Sequence, residues 1–192
     1  MAQPSFDPWV QVTTLHGFAA DQVISALQKE IRRGHVENAC LLAYEMYLTS
    51  AELEAYLWKR LLVISVEDVG LGDPQAALQV HTLYQMHNTT GRGEGDRLLF
   101  AIHAVRYLCA CQKDRSTDEM VNWMIHEVQG GTRPEIPDYA LDMHTAKGKE
   151  MGRSKRHFWE VGARLEPESP TRNRTYYERM MRILDEIEPK AG

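Results

Sequence analysis

Glu67 and Asp68 are adjacent carboxylates in an otherwise apolar run, Leu61-Leu-Val-Ile-Ser-Val-Glu-Asp-Val-Gly-Leu-Gly-Asp-Pro74. Paired carboxylates can hold a metal or divide the acid and base roles of a hydrolase. They also have a structural use. A carboxylate caught among apolar residues must be hydrogen-bonded or ion-paired, since an isolated buried charge is very costly. Lys59, Arg60 or a cation on a neighbouring helix would serve. No histidine lies beside the pair, so the structural role is the expectation. His81, His103 and His126 fall in three different helical segments without metal-ligand spacing, so no metal and no cofactor are expected. Gly91, Gly93 and Gly95 share one loop, but no Lys-Ser/Thr follows and no apolar strand precedes. The phosphate-loop pattern is absent, and the stretch reads as a linker.

A second constellation is cationic. From His144 to His157 the chain carries Lys147, Lys149, Arg153, Lys155 and Arg156 against Glu150 alone. That is a net +4 in a chain of net charge −5, which leaves −9 for the remainder. A basic block on an acidic body is a candidate contact surface. Its cations suit phosphates, Phe158 or Trp159 could stack on an unpaired base, and Gly148 and Gly152 would let the backbone approach a partner. The alternatives are a solvated loop, docking on an acidic protein surface, and Phe158 and Trp159 as buried anchors.

The elements that must position these residues read as helices throughout. Val23, Ile24, Leu27 and Ile31 share one face of a helix from Asp21 to Arg33, with Asp21 near its start, Arg32 and Arg33 in its last turn, and Gly34 as the stop. Val36 to Leu48 is a second helix. Thr49 and Glu52 form a capping box for a third, whose stripe is Leu53, Leu57, Leu61 and Ile64. That helix ends in Val69-Gly-Leu-Gly-Asp-Pro74, where Gly70 or Gly72 supplies a left-handed turn and Asp73 caps a helix starting at Pro74. Two more helices run from Leu98 to Cys111 and from Ser116 to Gln129. The second of these is capped by Ser116 with Glu119, and the methionines at helical spacing read as core fillers. Tyr176 to Ile187 closes the chain, with no alternating β pattern anywhere, so the fold class is all-α. Residues 1–20 read as an arm and 21–192 as one domain. Within it, 21–129 is a helical core, 130–170 an irregular basic segment and 171–192 a closing helix.

The totals fit. At 192 residues, 43% hydrophobic and 26% charged, this is an ordinary globular composition. Three cysteines within apolar patterns, and no basic and apolar leader at Met1, point to reduced thiols and a cytoplasmic protein. No apolar run approaches membrane-spanning length.

The stretches Val23-Ile-Ser-Ala-Leu-Gln-Lys-Glu-Ile-Arg-Arg-Gly34 and Lys59-Arg-Leu-Leu-Val-Ile-Ser-Val-Glu-Asp-Val-Gly-Leu-Gly-Asp-Pro74 resemble the C-terminal region of the MgsA/RarA-type AAA+ ATPases. Those proteins are clamp-loader relatives associated with replication and recombination. The acid pair, glycine, aspartate and proline keep the family's mutual spacing, and weaker similarity runs through Arg106-Tyr-Leu108 and Asp142-Met-His-Thr-Ala-Lys-Gly-Lys-Glu-Met-Gly152. The resemblance implies an orthogonal helical bundle like the clamp-loader collar, in which Glu67, Asp68, Gly70, Asp73 and Pro74 build a structural turn. It implies a homo-oligomer, a tetramer in that family, working on DNA at replication forks. About twenty residues stand where the family has its ATPase module, and no Walker or arginine-finger residue can be assigned. A non-catalytic module is therefore expected, with DNA, a full-length AAA+ ATPase or a replication protein as partner. The rival expectations are a protein-interaction scaffold without nucleic-acid affinity, and a hydrolase using Glu67 and Asp68.

Overall fold

A computed structural model describes residues 7–188 of the chain. Those residues are predominantly helical, and the pairing of Thr13 with Ala19 is an isolated bridge outside any strand. Two compact units divide at Gly131 and Thr132.

The first unit holds α1 (Ala20–Arg33), α2 (Val36–Thr49), α3 (Ala51–Ile64), α4 (Ala76–His87), α5 (Gly95–Ala110) and α6 (Ser116–Gln129). Val23, Leu27 and Ile31 recur every four residues on α1 and are all buried, the spacing that keeps a helical stripe facing one way. They meet Ala39, Ala43 and Met46 of α2, Leu53, Leu57, Trp58 and Leu61 of α3, and Ala101, Ala104, Val105 and Leu108 of α5 in one core. Small residues on α2 and α5 allow these helices to approach closely. The lead-in belongs to this body, since Trp9 packs against the core with its ring centroid 4.9 Å from that of Tyr56.

Two capping expectations shift by a residue or two. Thr49 ends α2 and donates its hydroxyl to the Glu45 carbonyl, so Ser50 is the cap of α3, its Oγ accepting from the Leu53 N–H at 3.1 Å. One non-helical residue suffices to separate the two helices, which a capping-box pattern alone does not reveal. At α6, Asp114 rather than Ser116 does the capping, its Oδ1 accepting from the Ser116 N–H at 2.8 Å.

The joint after α3 carries the glycines. The helix widens over Ser65–Val69 until the Gly70 N–H reaches back five residues to the Ser65 carbonyl, a π-type turn of the kind often found at functional positions. Gly70 then turns at φ +51°, ψ −127°. Asp73 caps the next turn, accepting from the Gln75 N–H at 3.0 Å, and α4 begins at Ala76 with Pro74 in the turn ahead of it. A Cβ on Gly70 would lie 2.5 Å from the Asp114 carbonyl oxygen. Gly70→Ala therefore combines a disfavoured φ with a backbone clash, and a loss of about 2 kcal/mol is expected, read as a lower urea midpoint. An unchanged midpoint would contradict the stated geometry.

The second unit holds α7 (Ala146–Glu150), α8 (Lys155–His157) continued by a π-type turn over Phe158–Gly162, and α9 (Thr175–Ile187). Its packing is thin. Leu184 is fully buried, and around it charged groups do much of the work.

Candidate functional site

The acid pair is locked. Asp68 is fully buried and Glu67 partly so. Asp68 accepts from Arg32 Nε, from Arg115 at 2.6 Å and from Gln28 Nε2 at 2.9 Å. Glu67 accepts from Gln28 at 2.8 Å and faces Arg60 at 3.7 Å, with Arg32 and Arg115 near 3.4 and 3.3 Å. Burial alone would push the Asp68 carboxyl up, but the Arg32, Gln28 and Arg115 hydrogen bonds outweigh it and leave it below its ordinary value. Carboxylates with their lone pairs occupied by guanidinium and amide donors are poor bases and poor metal ligands. Of the two cations that precede the pair on α3, Arg60 takes part, whereas Lys59 lies over the Tyr56 ring. Arg32 and Arg115, the main partners, come from α1 and from the start of α6.

Arg115 also donates to Asp118 at 2.5 Å, so this network fastens the first turn of α6 to the Ser65–Gly72 joint. Beyond that turn α6 has no buried residue. Met120, Val121, Met124 and Ile125 are about half exposed and share one side of the helix, and Trp123 is exposed as well. The expectation that these methionines fill a core is corrected here. The periodicity marks an apolar face, but no described residue of the first unit covers it. Next to it Leu62, Val63, Val66 and Val121 line an apolar groove of about 460 Å³. Contiguous exposed apolar surface of this kind marks interaction sites.

A second buried carboxylate is one that sequence reasoning misses. Glu54 on α3 is 2% exposed and faces Arg97 at 2.6 Å, Arg92 at 3.0 Å and His87 Nε2 at 3.2 Å. Arg92 and Arg97 also donate to the carbonyls of Tyr47, His87 and Thr90. This staples the glycine-rich loop between α4 and α5 to the core, consistent with its reading as a linker. Burial pulls the His87 imidazole below its ordinary pKa. Little in the sequence marks this carboxylate, since Glu54 shares the first turn of α3 with the exposed Glu52. Among the described residues no group of three or more His, Cys, Asp or Glu could hold a metal ion.

In the second unit the basic segment is partly committed to its own unit. Arg156 is buried, bound to Asp185 at 2.8 Å, to Glu160 at 3.2 Å and to the Glu188 carbonyl at 3.0 Å, and it holds α9 in place. Arg153 forks onto Asp138 at 2.7 and 2.9 Å and meets His157. Lys147 pairs loosely with Glu150 at 3.5 Å, both exposed. Lys149 and Lys155 are exposed, and His144 is exposed against the buried Asp142. Phe158 sits between His144 and Trp159, at 4.8 and 5.5 Å between centroids, in an aromatic row that runs from the exposed His144 through the half-buried Phe158 and Trp159 to Tyr177. Gly148 approaches the backbone of Asp142 within its own unit.

The cysteines are free thiols, and burial pushes Cys109 up to about 11. Among the described residues no helix is long and apolar enough to cross a membrane.

Comparison with known proteins gives one consistent result. The family model "MgsA AAA+ ATPase C terminal" matches residues 34–182. Replication-associated recombination protein A of Bacillus subtilis (strain 168) is 34% identical over 137 residues, which cover 71% of this chain and 32% of that protein. The proteins of the same name from Haemophilus influenzae (Rd) and Escherichia coli (K12) are 29% and 30% identical, each over 68% of this chain and 28% of their own length. The chain thus spans about a third of the length of the curated relatives it matches.

Proposed function

Since the chain belongs to the MgsA AAA+ ATPase C-terminal family, we propose that it is a non-catalytic self-association and partner-contact module of replication-associated recombination. The observation that carries this reading is the uncovered apolar side of α6, clamped at its root by Arg115 and bordered by the groove at Val63 and Val66. An isolated helix of this length is marginal in water, and a second copy of the chain laid against it would remove its apolar side from solvent. The tetramer implied by resemblance is the assembly we propose, with a full-length AAA+ ATPase as the further partner able to share the same face. DNA contact falls to the second unit, where Lys149 and Lys155, supported by Lys147 and His144, remain available to phosphates while Arg153 and Arg156 organise the segment. A hydrolase is disfavoured because Asp68 is buried with both oxygens hydrogen-bonded, and Glu67 shares the same guanidinium and amide donors.

Light scattering tests the self-association. The wild-type chain, of 22.0 kDa, is expected as a multiple of that mass. The double variant Val121→Glu, Met124→Glu is expected to fall to the monomer, with at least a roughly tenfold weaker association and an unchanged melting temperature, because both residues are exposed. A monomeric wild type would sink the reading, and an unaltered oligomer in the variant would move the interface off α6.

A further inference from the structure

α9 (Thr175–Ile187) carries two apolar stripes, and its own unit uses one of them. Tyr177, Met181 and Leu184 make up the inward stripe, with Tyr177 against Trp159 and Leu184 fully buried. The other stripe is Tyr176, Met180, Ile183 and Ile187, at the i, i+4, i+7, i+11 spacing of a helical contact seam. Tyr176, Ile183 and Ile187 are 73%, 49% and 61% exposed, and Met180 is partly so. Single apolar side chains on a surface are ordinary. Four in register along the whole helix exceed what holding α9 in place requires, since Leu184 and the Arg156 contacts already do that.

The charges beside the outward stripe indicate what covers it. By helical position its free edge carries Arg179 near the start and Glu186 near the end, while its other edge is the inward stripe itself. Among the described residues neither charge makes an ion pair. The Arg179 guanidinium lies 5.7 Å from the Tyr176 ring centroid, and the neighbouring Asp185 is taken by Arg156 at 2.8 Å. A reversed copy of α9 matches both features. It sets Tyr176 against Ile187 at each end and Met180 against Ile183 in the middle. It also brings Arg179 of each copy beside Glu186 of the other, one pair on either side of the two-fold axis. A parallel copy would lay that edge against the partner's inward stripe and leave both charges unpaired. A lipid or nucleic-acid surface would call for cations along the whole edge, where Glu186 stands.

We propose that the outward stripe of α9 pairs antiparallel with the same stripe of a second copy of the chain, its register fixed by Arg179 and Glu186. The proposal rests on the self-association described above but uses a different unit. Four side chains from each copy bury far less than the roughly 1,000 Å² of a stable interface. The α9 contact is therefore weak by itself, and takes hold once α6 has raised the effective concentration of one α9 around another. Two different two-fold contacts on one chain are what a closed tetramer of paired dimers requires.

Light scattering and sedimentation of the full chain separate the two contacts. The wild type is expected as a tetramer of the 22.0 kDa chain. Ile183→Glu should give half that mass with an unchanged melting temperature, because the residue is exposed, whereas Val121→Glu, Met124→Glu falls to the monomer. Arg179→Glu and Glu186→Arg should each weaken the dimer-to-tetramer step about tenfold. Combining them should restore it to within about threefold of wild type, since only the antiparallel register sets these positions opposite each other. A double variant as weak as the single ones overturns that register. Ile183→Glu at the wild-type mass overturns the self-pairing, leaving the stripe to a different protein and α6 as the interface. If Ile183→Glu disrupts the assembly and the α6 variant does not, the α9 contact stands and the α6 reading fails. A monomeric wild type overturns both.

Discussion

Asp68→Asn is expected to cost the protein about 3 kcal/mol, while Glu67→Gln, one residue away, costs under about 1 kcal/mol. The contrast follows from burial. Asp68 has no solvent exposure, and its oxygens accept from Arg32, Arg115 and Gln28. An asparagine of the same shape turns an NH₂ group towards guanidinium donors and removes the counter-charge from two of them. Arg32 and Arg115 are themselves about a third exposed, so water recovers part of the loss, which sets the figure at the lower end for breaking a buried pair. Glu67 is a quarter exposed and shares its donors with Asp68, so an amide there is tolerated. Urea unfolding followed by circular dichroism, at constant m, measures both variants. Equal stabilities, or a larger loss for Glu67→Gln, would show that the network is not organised around Asp68. The pH dependence has a definite sign. The folded carboxyl lies below its ordinary value of 3.8, so its contribution is complete above that value and is lost as pH falls through the folded pKa. Wild type should therefore lose an acid-limb advantage that Asp68→Asn never had.

The turn around this carboxylate was legible because its determinants are local. Gly70 supplies the positive φ, Asp73 caps its own successor, and Glu67-Asp68 inside an apolar run could only be paired. The partners were not legible. Arg32 and Arg115 stand 36 and 47 residues away from Asp68, and charge alone did not distinguish them from Lys59, which chose an aromatic ring. The same limit applies to α6 and to the basic segment. Periodicity identified Met120, Val121 and Met124 as one face, yet periodicity is silent on what covers a face. The charge run in the second unit counted Arg156 with Lys149, although the first is buried among Asp185 and Glu160 and the second is in water.

Gly148→Ala is expected to unfold the second unit selectively. A Cβ at this position would stand 1.9 Å from the Asp142 carbonyl oxygen, 2.5 Å from its carbon and 2.8 Å from its nitrogen, and none of these backbone atoms can rotate away. Moving them undoes the turn they form. Asp142 Oδ1 accepts from the His144 N–H at 2.9 Å, and Thr145 Oγ1 accepts from the Gly148 N–H at 2.9 Å while donating to the Asp142 carbonyl. The His144 N–H is also the main reason the Asp142 carboxyl sits below its ordinary value. Alanine gains about 1 kcal/mol of helix propensity over glycine, so a net loss of about 3 kcal/mol or more means the steric term dominates by a wide margin. For a unit this small that is on the order of its whole stability. Gly152→Ala is the comparison. Gly152 has φ +70° but open space around it, which limits its cost to about 1 kcal/mol of backbone strain. Hydrogen exchange resolved by peptide distinguishes the outcomes. In Gly148→Ala the segments from Asp142 to Gly162 should lose protection while α1 to α5 keep theirs, and Gly152→Ala should retain most of both. Persistence of protection around Asp142 in the Gly148 variant would mean the close approach of these two backbones does not hold the basic segment in place, and the contact surface assigned to Lys149 and Lys155 would lose its rigid support.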